Sequence, residues 1–231
     1  MTRIDTSNFR TRNWWANAAL WKRAALVFCV ALWAVAVGIG FKILWSYANT
    51  PGTPAEAPAS WPRSSRIKLS GDTPTLVMTA HPRCPCTKAT IAELNRIMSD
   101  CQGRLAATVL FIKPDGVKES WERSDLWSSA ASIPGVTVMT DDDGNESSLF
   151  GSSTSGQVLL YDKNGHLLFA GGITASRGHE GSNDGSSAIE SLVDSGRSQY
   201  RATPVFGCPL DNPKSKCATE GNHEIQGSND H

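Results

Sequence analysis

Two cysteines stand one residue apart in the run His81-Pro82-Arg83-Cys84-Pro85-Cys86-Thr87, in a chain that holds six cysteines among 231 residues. An apolar stretch of strand type leads into this run, and a stretch of helical spacing follows it. A thiol at a helix start is acidified, because the free N–H groups and the macrodipole stabilise the thiolate. Pro85 suits the first helical turn, where its missing donor costs nothing. The chemistry is therefore thiol–disulfide exchange or thiolate metal binding. Cys84, nearest the helix entrance, is the expected nucleophile, and Cys86 the thiol that resolves a mixed disulfide. Arg83 and Lys88 are placed to favour a thiolate, or else are ordinary solvated charges. His81 either serves the site, as proton carrier or as metal ligand with Cys84 and Cys86, or simply caps the strand end. Soft thiolates make Cu(I) the metal to expect if one binds.

Three further candidates lie downstream. Cys208 belongs to an apolar island, Val205-Phe206-Gly207-Cys208-Pro209-Leu210, inside a polar C-terminal stretch. A structural disulfide with Cys217, closing a short loop, is the simpler expectation. The other is that the island docks on the domain and brings Cys208 to the loop as a third redox or metal thiol. His179 lies in the glycine-rich segment from Gly171 to Gly181, whose glycines permit close backbone approach. It either swings toward the cysteines or belongs to a solvated loop, the plainer reading. Cys101, just before Gly103, reads as a small buried residue.

Alternating elements must position these groups. Strands are expected at Thr75–Ala80, Leu105–Ile112 and Val136–Met139, with helices at Thr87–Ser99 and Val117–Ser132 between them. Ser147–Gly151 reads as a helical turn. Gln157–Tyr161 and His166–Ala170 flank Asp162-Lys163-Asn164-Gly165, a hairpin turn, and a last helix is expected at Ser186–Val193. This order gives an α/β fold, a mixed sheet flanked by helices.

The reactive pair between first strand and first helix, followed by a distal hairpin and closing helix, resembles the thioredoxin-like fold. The stretch Asp141-x-x-Gly144, Phe150-Gly151, Leu159-Leu160-Tyr161-Asp162-x-x-Gly165 and Gly171 is similar to the second half of TlpA/ResA-type membrane-anchored thioredoxins, over about Arg66 to Ser195. The resemblance implies thiol–disulfide exchange with protein thiols or disulfides, and no cofactor; the alternatives are a Cu(I)-binding or metallochaperone module on the same fold, or a non-catalytic interaction domain. Three departures stand out. The usual Cys-x-x-Cys is Cys84-Pro85-Cys86, and a disulfide across so small a ring is strained and easily reduced. Where thioredoxins place a cis-proline facing the cysteines, Gly156 stands beside Thr154 and Ser155, so the edge that pairs with substrate peptide is altered. The histidine of Sco-type copper proteins is absent from 151–156, and in the cysteine loop Thr87 follows the cysteines rather than preceding them as in the Thr-x-x-Cys motif of peroxiredoxins.

Formal net charge is zero, but unevenly spread. Before Ser46 there are Arg3, Arg10, Arg12, Lys22, Arg23 and Lys42 against Asp5; from Ser46 onward, 16 Lys/Arg oppose 21 Asp/Glu. No basic, aromatic-laced surface suggests nucleic acid. Ala24 to Phe41 is uncharged and apolar, extended by Ile43, Leu44 and Trp45, enough to cross a bilayer. The Lys/Arg excess before it sets the N-terminus in the cytoplasm and the remainder outside, in a bacterial periplasm. A cleaved signal peptide is the alternative, disfavoured by the long basic region and apolar run. The expected organisation is a basic N-terminus over 1–23, an anchor over 24–45, a Pro-rich tether over 46–66, the thioredoxin-like domain over 67–200, and a Cys-containing extension over 201–231, disordered from Ala218.

Overall fold

The computed structural model describes residues 9–210. The chain divides at Tyr47/Ala48 into two units. The first is dominated by α1 (Phe9–Asn49), whose stretch Leu20–Asn49 is long and apolar enough to cross a membrane. Leu26, Phe28, Leu32 and Trp33 are exposed along it. The expected anchor lies inside this stretch. The helix runs on to Asn49 because Ser46, Tyr47 and Ala48 offer no breaker before Pro51.

In the second unit, β1 (Thr75–Ala80), β2 (Ala106–Lys113), β3 (Val136–Asp142), β4 (Gln157–Tyr161) and β5 (Leu167–Gly172) form one mixed sheet in the order β3-β2-β1-β4-β5. β1, β2 and β3 are parallel, while β4 runs antiparallel to both β1 and β5. Side chains alternate across it. Leu76, Met78, Val158 and Leu160 face one core, completed by Leu94, Ile97 and Ile189; Val77, Leu159 and Tyr161 face the other, with Phe150 and Ile67. The first core carries α2 (Pro85–Asp100), α3 (Asp125–Ala131) and α5 (Asp184–Ser195). The short α4 (Asn145–Leu149) begins where the buried Asp141 carboxylate accepts the Glu146 and Ser147 N–H groups, at 2.7 and 2.9 Å. The β4–β5 hairpin forms as its turn chemistry predicts: the Asp162 carboxylate accepts N–H bonds from Asn164 and His166, both 2.8 Å.

Two expectations need correction. The helix expected over Val117–Ser132 forms only from Asp125, after three successive turns closed by Trp121, Arg123 and Ser124 N–H groups. Trp121 is drawn onto His81 and Glu122 accepts a bond from Thr140, and these tertiary contacts override weak helical spacing. The Pro-rich stretch expected as a tether is instead laid on the domain beyond α1. Glu56 N–H donates to the Gly151 carbonyl (3.0 Å), Tyr161 O–H to the Pro58 carbonyl (3.0 Å), and Leu167 N–H to Ala59 (2.9 Å). Trp61 meets Phe150 and Tyr161 edge-on, each with ring centroids 5.1 Å apart. An extended chain with unpaired backbone groups and one large aromatic gains more by docking than by staying solvated.

Candidate active site

β1 ends at Ala80, and the chain turns through His81-Pro82-Arg83 into α2, whose N-cap is Cys84 in an extended conformation. No side chain caps the helix, so its first N–H groups bear on the thiol. Cys84 has no exposed surface and Cys86, in the first turn of α2, is 5% exposed.

The Cys84 and Cys208 sulfurs lie 2.9 Å apart. Hydrogen bonds from Cys208, and then from Cys86, pull the Cys84 pKa far below the ordinary thiol range, against the desolvation that opposes them. The hydrogen bond to Cys84, together with burial, pushes Cys86 the other way, so the two neighbouring thiols are shifted in opposite directions. Arg177 partly offsets that rise at Cys86 through its charge and a hydrogen bond, while its Nη1 donates to the Gly207 carbonyl at 2.5 Å. Its loop is fastened to α2 where the buried Glu93 carboxylate accepts the Gly181 N–H at 2.6 Å.

The floor of the site stands where the resemblance expects a proline. The buried Ser155 hydroxyl accepts the His81 N–H (2.9 Å) and bonds the Thr87 hydroxyl (2.8 Å). Gly156 N–H donates to the Thr79 carbonyl at 2.7 Å. The backbone edge beside these residues is paired with the chain's own C-terminal segment: Ser155 N–H donates to the Cys208 carbonyl (2.8 Å) and Leu210 N–H to Ser153 (2.9 Å).

The anticipated residues thus separate. Cys84, Cys86 and Cys208 converge. His81 is buried, and its Nδ1 accepts the Arg83 N–H at 3.2 Å. Burial lowers its pKa below the ordinary imidazole value, only partly offset by the Cys84 charge. The strand-end capping role is the one its contacts display. The Arg83 guanidinium lies over Trp121, 5.1 Å from the ring centroid. Lys88 is exposed and, with Arg83, Asp125, Leu126 and Ser129, borders a groove of about 510 Å³ beside Cys84. His179 stays exposed on its loop; the neighbouring Arg177 is the residue that reaches the cysteines. Cys101 packs in the core with its pKa pushed up to about 11 by burial. Cys217, the Cys208–Cys217 pairing and the tail beyond Ala218 lie outside the described residues. Among the described residues no group of three or more His, Cys, Asp or Glu side chains is arranged to hold a metal ion.

Sequence alone did not single out Arg177 or Ser155. The glycines around Arg177 were the available signal, since they allow the close backbone approach that sets it there. Ser155 is marked only as a neighbour of Gly156, at the place where the resemblance expects a proline.

No family model matches this sequence, and no curated protein matches it. Solved structures do. A hypothetical protein of Sinorhizobium meliloti is 17% identical, with TM-score 0.52 over 70% of this chain and 94% of its own. An uncharacterized conserved protein of Geobacillus kaustophilus is 16% identical, with TM-score 0.51 over 72% and 94%. A secreted disulfide oxidoreductase of Mycobacterium tuberculosis is a more distant match, 15% identical, with TM-score 0.35 over 43% and 68%. The sheet order, the cysteine loop between β1 and α2, and the β4–β5 hairpin before α5 identify the fold of this chain as thioredoxin-like.

Proposed function

We propose that this protein carries out thiol–disulfide exchange through Cys84, with protein thiols or disulfides as reaction partners. One observation carries the reading: a thiol at the uncapped N-terminus of α2 with a second cysteine sulfur 2.9 Å away, an arrangement that favours its thiolate. A thiolate is the attacking form in exchange, and a protonated neighbour is a ready proton source. On this reading α1 anchors the chain in the cytoplasmic membrane. The basic residues before it hold the N-terminus inside, and the thioredoxin-like unit works outside, in an oxidising compartment.

The test uses the full chain in detergent, incubated with a fluorogenic disulfide-linked peptide. Exchange is expected in the wild type and lost in Cys84→Ser. A wild-type chain that fails to exchange, or that carries equimolar copper released by Cys86→Ser in place of exchange, overturns the reading.

A further inference from the structure

An extended peptide binds a sheet edge by adding to it as a strand. In this protein the edge beside the nucleophile is already taken. After α5 the chain runs back along β5, where Ala170 N–H donates to Arg201 (3.0 Å) and the Thr203 hydroxyl to Gly172 (2.7 Å). It then crosses the end of the sheet. Gly52 N–H donates to Val205 (2.8 Å), Arg177 to Gly207, and Ser155 N–H to Cys208. Val205 and Leu210 are buried, 2% exposed each. At Gly207 the contact is so close that a Cβ would meet the Ser155 carbonyl oxygen at 1.7 Å. This strap sets Cys208 sulfur against Cys84 sulfur and leaves Cys84 without exposed surface.

Cys86 is worse placed to complete a disulfide. It lies inside the first turn of α2 with one residue between it and Cys84, so joining the two demands a strained small ring at a formed helix start. Cys208 rides on an extended segment held to the sheet edge by backbone pairing, which another peptide can replace.

Resting on the exchange reading above, we infer that Cys208 is the resolving thiol, and that its strap is a tethered stand-in for an extended substrate segment. When the strap lifts, the Cys84 thiolate attacks one sulfur of a substrate disulfide. The substrate S–S bond breaks, its distal sulfur departs as a thiolate that takes up a proton, and Cys84 is left in a mixed disulfide. When the strap returns, the Cys208 thiol loses its proton and attacks the Cys84 sulfur. The second substrate sulfur leaves as thiolate and is protonated. The substrate has gained two electrons, which Cys84 and Cys208 have given up in forming their own disulfide. An external dithiol then returns both to thiols. Substrate and strap compete for one edge, Ser153 to Ser155, which favours disulfides held in extended, accessible polypeptide.

The full chain in detergent is oxidised with diamide, its remaining thiols are blocked, and it is cut with trypsin without reduction. Mass spectrometry should find the peptide Cys84–Lys88 joined to Ala202–Lys214. That bond should persist in Cys86→Ser and vanish in Cys208→Ser. With the fluorogenic disulfide peptide, Cys208→Ser should accumulate the Cys84 mixed disulfide and lose about tenfold in turnover, while Cys86→Ser should release that mixed disulfide without accumulating it. A bond confined to Cys84–Lys88, or one joining Ala202–Lys214 to Cys217–His231, with Cys208→Ser turning over normally, overturns the inference and leaves exchange at Cys84 standing. Absence of exchange in every chain, wild type included, overturns both.

Discussion

Two extended, proline-containing segments lie on this domain, one before β1 and one after α5, and they are held by different forces. Residues 50–66 make backbone bonds too, as from Glu56 N–H to Gly151, but add an aromatic anchor: Trp61 wedges between Phe150 and Tyr161 on the face of the sheet away from α2. The stretch 201–210 is fastened by a row of backbone hydrogen bonds, by clearances too tight for a side chain, at Gly172 against the Pro204 carbonyl and at Gly207 against Ser155, and by only two buried apolar side chains, Val205 and Leu210. Apolar burial is hard to undo without exposing a core. Backbone pairing at an edge can be exchanged for pairing with another peptide at little net cost. The first segment is therefore part of the fold, and the second is built to come away.

Three experiments can break or sharpen that contrast. The largest effect is expected in Trp61→Ala, which removes a half-buried ring from the second core and should destabilise the unit by about 2–3 kcal/mol in urea unfolding. A loss below about 0.5 kcal/mol would reduce the first segment to the same loose status as the second. Gly207→Val comes next. It cannot seat against Ser155, so the strap should lift and alkylation of Cys84 by iodoacetamide should rise about tenfold, with a smaller loss of stability in urea than Trp61→Ala gives. A collapse of stability with no gain in reactivity would mean that the strap is structural after all.

The smallest expected effect is none at all. An ordinary thiol, with pKa near 9.0, loses about a hundredfold in thiolate between pH 8 and 6. Cys84 in the Gly207→Val chain should alkylate at nearly constant rate over that range if Cys86 suffices to hold the thiolate. A hundredfold fall would assign the stabilisation to Cys208 and its docked strap. The sign for stability follows the same shift. Between the depressed folded pKa and the unfolded value of 9.0, the unfolded chain holds a proton that the folded one lacks, so stability rises with pH. Below the folded pKa that contribution is gone.

Much of the sheet was legible because its signals are local. β1 and β4 fall on their expected residues, since a short β-rich run and a turn beginning at Asp162 need no distant partner to be recognised. Segments whose conformation is set from far away were not legible. Trp121 and Glu122 obey His81 and Thr140 rather than a helical repeat. The 50–66 and 201–210 stretches have the composition of linkers and become ordered only against Gly151, Phe150, Gly172 and Ser155. At the site, Cys84 and Cys86 were visible from spacing alone. The neighbour that changes their meaning, Cys208, is 124 positions away from Cys84 in sequence, and only the apolar island around it hinted at docking.

That separation has a consequence for the shape of the molecule as a chain. Once Cys84 and Cys208 are joined, the polypeptide is no longer a line but a lasso, its ring spanning 124 positions and taking in α2 through α5 and every strand except β1. Closing so long a ring withdraws conformational freedom from the unfolded state worth about 4–5 kcal/mol. Each turnover would thus pass the domain between a ringed and an open topology, and the oxidised protein would be the one that withstands heat and proteases longer.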